Sequence, residues 1–157
     1  MTAAAPRLTT LAYLRRGDET LMLRRGPRHD PGRGKWNGLG GKVEPGESPE
    51  QCMRREVAEE SGLTVLAAEL KGVITFPADG DQPDVYTFVY VVTSFEGRPR
   101  NSSEGELFWV RSDRLAELHL WEGDRHFLPW LDRPGHFSAR FVYQAGRYVG
   151  HEVSHYR

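Results

Sequence analysis

The chain has 157 residues, with 21 Lys and Arg against 22 Asp and Glu for a formal charge of −1. That length fits a single domain spanning 1–157, and the even charge balance excludes a bulk nucleic-acid binder, which carries a basic excess. Cys52 is the one cysteine, which excludes an internal disulfide and a multi-cysteine zinc site.

No run approaches the roughly 18 apolar residues of a membrane span, and Met1–Leu8 lacks the basic start and apolar run of a signal peptide. A cytoplasmic protein without a membrane partner is expected. In chain order, Leu8–Leu14 and Thr20–Arg25 are β-leaning runs around the turn pair Gly17-Asp18 and predict a hairpin. Gly and Pro concentrate between Gly26 and Gly46, marking a loop within the domain, where Asn37–Val43 supplies only a short strand. Ser48 then opens the best-marked helix, Pro49–Ser61. Ser48 stands as N-cap, Pro49 at the first helical position, Gln51 three after the cap and Gly62 just past the end. Met53 and Val57, at i and i+4, anchor it on a sheet.

Val65–Phe76 and Val85–Phe95 are rich in β-branched and aromatic residues and are separated by Ala78-Asp79-Gly80-Asp81 and Pro83, so they predict two long paired strands. Leu107–Val110 predicts a short strand, Asp113–Leu118 a helical turn and Asp124–Leu131 a second helix. His136–Tyr143 and Tyr148–Val153, joined at Ala145-Gly146, predict a closing hairpin. The order indicates an α+β fold with a mixed sheet between helices.

On Pro49–Ser61, the residues Glu56, Glu59 and Glu60 fall within an arc of about 100° on one helix face. Like charges three and four residues apart disfavour a helix, and the negative end of the macrodipole adds to the cost. Arg55 can pair with Glu59 but cannot offset three acids, so a divalent cation is the economical partner. All-oxygen ligands select a hard ion, Mg²⁺ with Mn²⁺ as a substitute, and such ions usually act on phosphates. An isolated acidic run reads more simply as a solvated face; here the surrounding residues decide otherwise.

Gly41, Glu47, Arg55-Glu56-Val57, Glu59-Glu60 and Gly62-Leu63 match all nine fixed positions of the 23-residue Nudix box, so the chain resembles the Nudix hydrolases. The resemblance implies a Nudix-type α/β/α sandwich with a loop-helix-loop metal site that cleaves nucleoside diphosphate linkages. Gly40-Gly41 permits close backbone approach, and the Gly41 carbonyl is expected to join Glu56, Glu59 and Glu60 around the metal, with Glu47 and Arg55 orienting them. By the same resemblance Glu104, in the loop before Leu107–Val110, completes the metal site or serves as base, in preference to Glu106. Two solvated loop acids is the plainer alternative. Glu59, Glu60, Glu104 and Arg55 are thus the catalytic candidates.

Between Arg24 and Lys35 five bases (Arg24, Arg25, Arg28, Arg33, Lys35) stand against Asp30. Arg25, at the end of a strand beside the glycine loop, is the candidate triphosphate clamp, and Lys42 a further substrate contact. Arg28 and Arg33 read equally well as solvated.

The segment Lys35–Val43 is similar to the one that leads into the box in animal-type MutT homologues, which hydrolyse oxidised purine nucleoside triphosphates such as 8-oxo-dGTP. Leu120-Trp121-Glu122-Gly123-Asp124, followed by Phe127–Leu131 and a terminal strand pair, resembles the same subgroup. Asn37 can present a donor and an acceptor to a base edge, Trp121 can stack on a purine, and Asp124 can accept from ring N–H or amino groups. Asn37 serving a turn and Trp121 packing in the core are the alternatives. Trp36, Trp130 and Cys52 read as packing, and the spacing of His151 and His155 as coincidence. The animal enzymes carry two adjacent acids after the tryptophan; here the first is Gly123.

The resemblance implies a monomeric, Mg²⁺-dependent pyrophosphohydrolase converting 8-oxo-dGTP to 8-oxo-dGMP and pyrophosphate, with a small-molecule nucleotide as partner and no stable nucleic-acid partner. A general Nudix hydrolase of dinucleoside polyphosphates, nucleoside diphosphates or capped RNA is the alternative within enzymes. A non-catalytic nucleotide sensor is the alternative outside them, and the intact acids speak against it.

Overall fold

Successive residues of a strand face opposite sides of its sheet, so a run buried at every position needs cover on both faces. Ala12-Tyr13-Leu14, Leu21-Met22-Leu23 and Val89-Tyr90-Val91-Val92 are all buried in this way. The computed structural model describes residues 4–26 and 34–157 and shows what covers them.

Among the described residues eight strands form one mixed sheet: β1 (Arg7–Arg16), β2 (Glu19–Arg25), β3 (Trp36–Asn37), β4 (Thr64–Phe76), β5 (Val85–Glu96), β6 (Gly105–Arg111), β7 (His136–Gln144) and β8 (Arg147–Tyr156). The order is β3-β2-β1-β5-β4-β7-β8, with β6 pairing β2. The pairs β1–β5 and β4–β7 are parallel and the remaining pairs antiparallel.

One face is covered by α1 (Pro49–Ser61), whose Met53 and Val57 pack with Ala12, Leu14, Leu21, Leu23 and Val92. The other is covered by α2 (Glu122–Phe127) and two 3₁₀ turns, Ser112–Glu117 and Leu128–Asp132. From these, Leu115, Phe127, Leu128 and Leu131 pack with Tyr13, Met22, Val89, Val91 and Phe141. The result is the expected sandwich of helix, mixed sheet and helix. Trp36 packs on Phe108 and Trp130 on Phe137, both with ring centroids 5.3 Å apart. Cys52 is fully buried.

Two expectations on element bounds need correction. Of Asn37–Val43 only Asn37 is in a strand; the rest runs beside β1 through isolated bridges at Ala12–Leu39 and Thr9–Lys42. A Cβ at Gly38 would stand 2.7 Å from the Ala12 carbonyl oxygen, and one at Gly40 only 1.9 Å from that of Thr10. Backbone pressed this closely onto its neighbour breaks the regular ladder.

The expected helix Asp124–Leu131 starts earlier, at Glu122, and gives way to a 3₁₀ turn after Phe127. Pro129 has no N–H to offer the Arg125 carbonyl and cannot continue the α-helix. Conversely β6 outruns Leu107–Val110, because it pairs along the whole of β2, from Glu19–Arg111 to Arg25–Gly105. Arg28, Asp30 and Arg33 lie outside the described residues. Among the described residues no helix is long and apolar enough to cross a membrane.

Candidate active site

The position of the acids follows from how α1 is capped. Ser48 Oγ accepts from the Gln51 N–H at 3.1 Å, and Gln51 Oε1 accepts from the Ser48 N–H at 2.9 Å. At the other end Gly62 takes a left-handed φ of 77°, and its N–H donates to the Ala58 carbonyl at 2.8 Å. Glu56, Glu59 and Glu60 therefore fall in the last two turns, and the last turn holds no base.

Their surroundings differ. Glu60 is 4 % exposed, and the Gly40 N–H donates to its Oε2 at 2.9 Å. Burial pushes its carboxyl up to about 8; the Gly40 N–H and Arg25 oppose this, while the charges of Glu56 and Glu104 add to it. Glu56 lies against Gly41, where a Cβ would stand 2.5 Å from its carboxylate. Its carboxyl is also raised by burial, with Arg55 opposing and Glu59 and Glu104 reinforcing. Glu59 is largely exposed.

Arg55 ties this group together. Its Nε and Nη2 donate to Glu47 at 2.8 and 3.0 Å, its Nη1 to Glu56 at 2.8 Å and to Glu59 at 3.3 Å, and its Nη2 to the Lys42 carbonyl at 3.0 Å. The guanidinium holds the Glu47 carboxyl down at about 2. Both residues thus sit where they can orient the acids around them.

Glu104 directly precedes β6. The Arg25–Gly105 register brings it to the end of β2, where Arg25 Nη1 donates to its Oε2 at 3.2 Å. Glu106 instead accepts from Arg24 at 2.7 Å. The Gly41 carbonyl accepts from the Thr10 N–H at 2.9 Å and from the Cys52 thiol at 3.7 Å.

Among the described residues no three acidic, His or Cys side chains are close enough together to cage an ion outright; Glu56 and Glu59 lean on Arg55. The chemistry of the donors nonetheless fits a hard divalent cation. A nearly buried carboxyl flanked by two further acids is a group that a cation stabilises, and every donor is oxygen.

Beside these acids opens a cavity of about 440 Å³, whose wall includes Arg25, Asn37, Gly40, Gly41, Trp121 and Asp124. Asn37, Trp121 and Asp124, far apart in sequence, thus share one space. Asn37 arrives on β3, paired with Leu23. Trp121 leads into α2 with Lys35 Nζ 4.7 Å from its ring centroid. Asp124 is 7 % exposed; burial pushes its carboxyl up to about 7, with Lys35 and Arg125 opposing. Near neutrality it can serve as donor or acceptor. Lys42 is exposed and does not line the cavity. Its backbone carbonyl accepts from Arg55.

Sequence reasoning missed Phe76, Asp79, Phe127 and Tyr143, which also line the cavity. Asp79 accepts from the Ala145 and Gly146 N–H groups at 2.8 and 2.9 Å and so ties the β4–β5 loop to the β7–β8 turn. Ala145 there holds a φ of 51°, a costly conformation for a residue with a Cβ. The available signal was positional: Phe76 ends β4, Tyr143 lies near the end of β7, and the two strands run parallel, with the rings 6.3 Å apart.

The family model described as NUDIX domain matches residues 5–131. The chain is 36 % identical over 122 residues to the oxidized purine nucleoside triphosphate hydrolase of Danio rerio, covering 78 % of this chain and 75 % of that protein. Identity to the protein of the same name from Mus musculus is 34 % over 113 residues, 72 % of each chain. The fold is similar to that of a MutT protein from Bacillus halodurans, with a TM-score of 0.84 and 27 % identity over 94 % of this chain and 97 % of that one.

Proposed function

The chain belongs to the Nudix hydrolase family, and from that premise we propose that it hydrolyses oxidised purine nucleoside triphosphates such as 8-oxo-dGTP to the monophosphate and pyrophosphate, with Mg²⁺ as cofactor and Mn²⁺ as a substitute. The observation that carries this reading is the cavity that Asn37, Trp121 and Asp124 line together with Gly40 and Gly41, the two glycines that lie against Glu60 and Glu56. The names of the fish and mouse relatives support the same substrate class. We place the protein in the cytoplasm as a monomer acting on free nucleotides.

Glu56, Glu59, Glu60, Glu104 and the Gly41 carbonyl are the groups that hold the cation. When bound, it stabilises charge developing on the phosphate oxygens. Arg25 clamps the phosphate chain, and Glu104, Glu59 or Glu60 accepts the proton of the attacking water. Arg55 keeps the acids of α1 in position. Trp121 stacks on the base, a contact worth roughly 1–3 kcal/mol, while Asn37 and Asp124 read its edge.

Pyrophosphate release over a panel of nucleotides, with and without Mg²⁺, tests the reading. 8-oxo-dGTP is expected to be preferred over dGTP, and activity to vanish with the metal. Trp121→Ala should raise KM for every purine by about 5- to 150-fold. Asn37→Ala and Asp124→Ala should erode the ratio of 8-oxo-dGTP to dGTP, because a site built to pair with one base leaves its polar groups unmet by another. A wild type indifferent to the 8-oxo group, or variants with an unchanged ratio, would remove the oxidised-purine assignment and leave a Nudix hydrolase of another substrate.

Asp124 also makes stability depend on pH. Its carboxyl lies above the usual carboxylate range in the fold, so the protonated form favours folding. The associated stability is fully present below about pH 4 and is lost as pH rises to about 7, a change on the order of 4 kcal/mol. Glu60 titrates in an overlapping window, so the comparison must be differential. In urea unfolding at pH 5 and pH 8, Asp124→Asn should lose less stability between the two than the wild type. Equal losses would show that Asp124 ionises freely in the fold.

A further inference from the structure

Gly123, buried and set in the chain between Trp121 and the cavity-lining Asp124, has no room for a side chain. A Cβ there would stand 2.7 Å from Tyr143 Oη and 3.1 Å from Phe141 Cδ1. The phenol occupies that space, and the Gly123 N–H donates to its oxygen at 2.7 Å. The bond uses Tyr143 Oη as acceptor and leaves the hydroxyl proton to be donated elsewhere. Among the described residues no protein group accepts that proton. Tyr143 lines the same cavity as Asn37, Trp121 and Asp124.

Resting on the nucleotide reading above, we propose that Tyr143 is a specificity-determining residue of this cavity, its hydroxyl held by the Gly123 N–H and donating to an exocyclic oxygen on the edge of the bound base. Asp124 changes from donor to acceptor near neutrality. Tyr143 does not, because burial pushes its hydroxyl up to about 12. The pair therefore gives the site one constant donor beside one variable group. Gly123 serves this arrangement twice, by supplying the anchoring N–H and by lacking the Cβ that would displace the phenol.

Calorimetric titration with monophosphates tests the proposal without hydrolysis. The ligands are 8-oxo-dGMP, dGMP and the 2-aminopurine deoxynucleoside monophosphate, whose base carries no exocyclic oxygen. Tyr143→Phe is expected to bind the first two roughly tenfold more weakly and the third within about twofold of the wild type. Gly123→Ala, which keeps the phenol but pushes it aside, should show the same pattern, so a folding defect in one variant leaves the other as the test. Unchanged affinity for the oxo bases overturns the proposal. So does an equal loss for all three ligands, which would mark a packing role. A protein without 8-oxo-dGTPase activity that shows the expected pattern keeps this role for Tyr143 and loses the proposed function; an active enzyme with a flat pattern does the reverse.

Discussion

Glu56→Gln, Glu59→Gln and Glu60→Gln are each expected to lower kcat by two or more orders of magnitude with the fold retained. The amide keeps the size of the acid and removes the negative charge, so what is lost is the electrostatic part of the site, whose removal costs on this scale. The three differ in what else they do. Glu59 is largely exposed and touches Arg55, so its replacement should leave stability nearly unchanged. Glu60 is buried with its carboxyl pushed up to about 8. Its amide removes a group that resists ionisation, and Glu60→Gln should be the more stable protein above neutrality in metal-free buffer. Steady-state turnover across a Mg²⁺ series, with urea unfolding in chelator, measures both effects. Near-wild-type turnover in all three variants would remove the metal-site assignment.

Gly40→Ala should destabilise the protein by roughly 3 kcal/mol or more, the upper range for overpacking a filled site, and abolish activity. The added Cβ would meet the Thr10 carbonyl oxygen at 1.9 Å, its carbon at 2.6 Å and Leu11 Cα at 3.0 Å. All three are backbone atoms of β1, a strand buried within the sheet, so no side chain can swing away to make room. The displaced loop also withdraws the N–H that Glu60 accepts. Gly150→Ala is the control: nothing lies within 4 Å of its Cβ position, and the change should stay within about 0.5 kcal/mol. Chemical denaturation of both variants decides, and a Gly40→Ala protein as stable and active as the control would show that the loop does not lie on β1 as described.

The parts of this molecule that were legible in the sequence are those whose cause is local. Ser48, Pro49, Gln51 and Gly62 mark α1 because caps act within a few residues, and the acid face follows from helical spacing alone. Glu104 was separable from Glu106 only through the resemblance, because the register that sets Gly105 opposite Arg25 is a pairing across the sheet that no local pattern carries. The irregular course of 38–43 could not be read, because it depends on how closely Gly38 and Gly40 approach another strand. Lys42, expected as a substrate contact, is exposed and stands outside the cavity lining. Phe76, Asp79 and Tyr143 join the cavity through pairings across the sheet, which no local pattern carries.

The sheet divides the work of this protein between its two sides. The acids sit on α1 over one face, Asp124 and Phe127 enter the cavity from α2 over the other, and the two meet along the short crossing from Asn37 to Gly41. Natural selection can therefore alter one side without disturbing the other. Exchanges among the cavity residues of α2 and β7 would leave the acids of α1 in place.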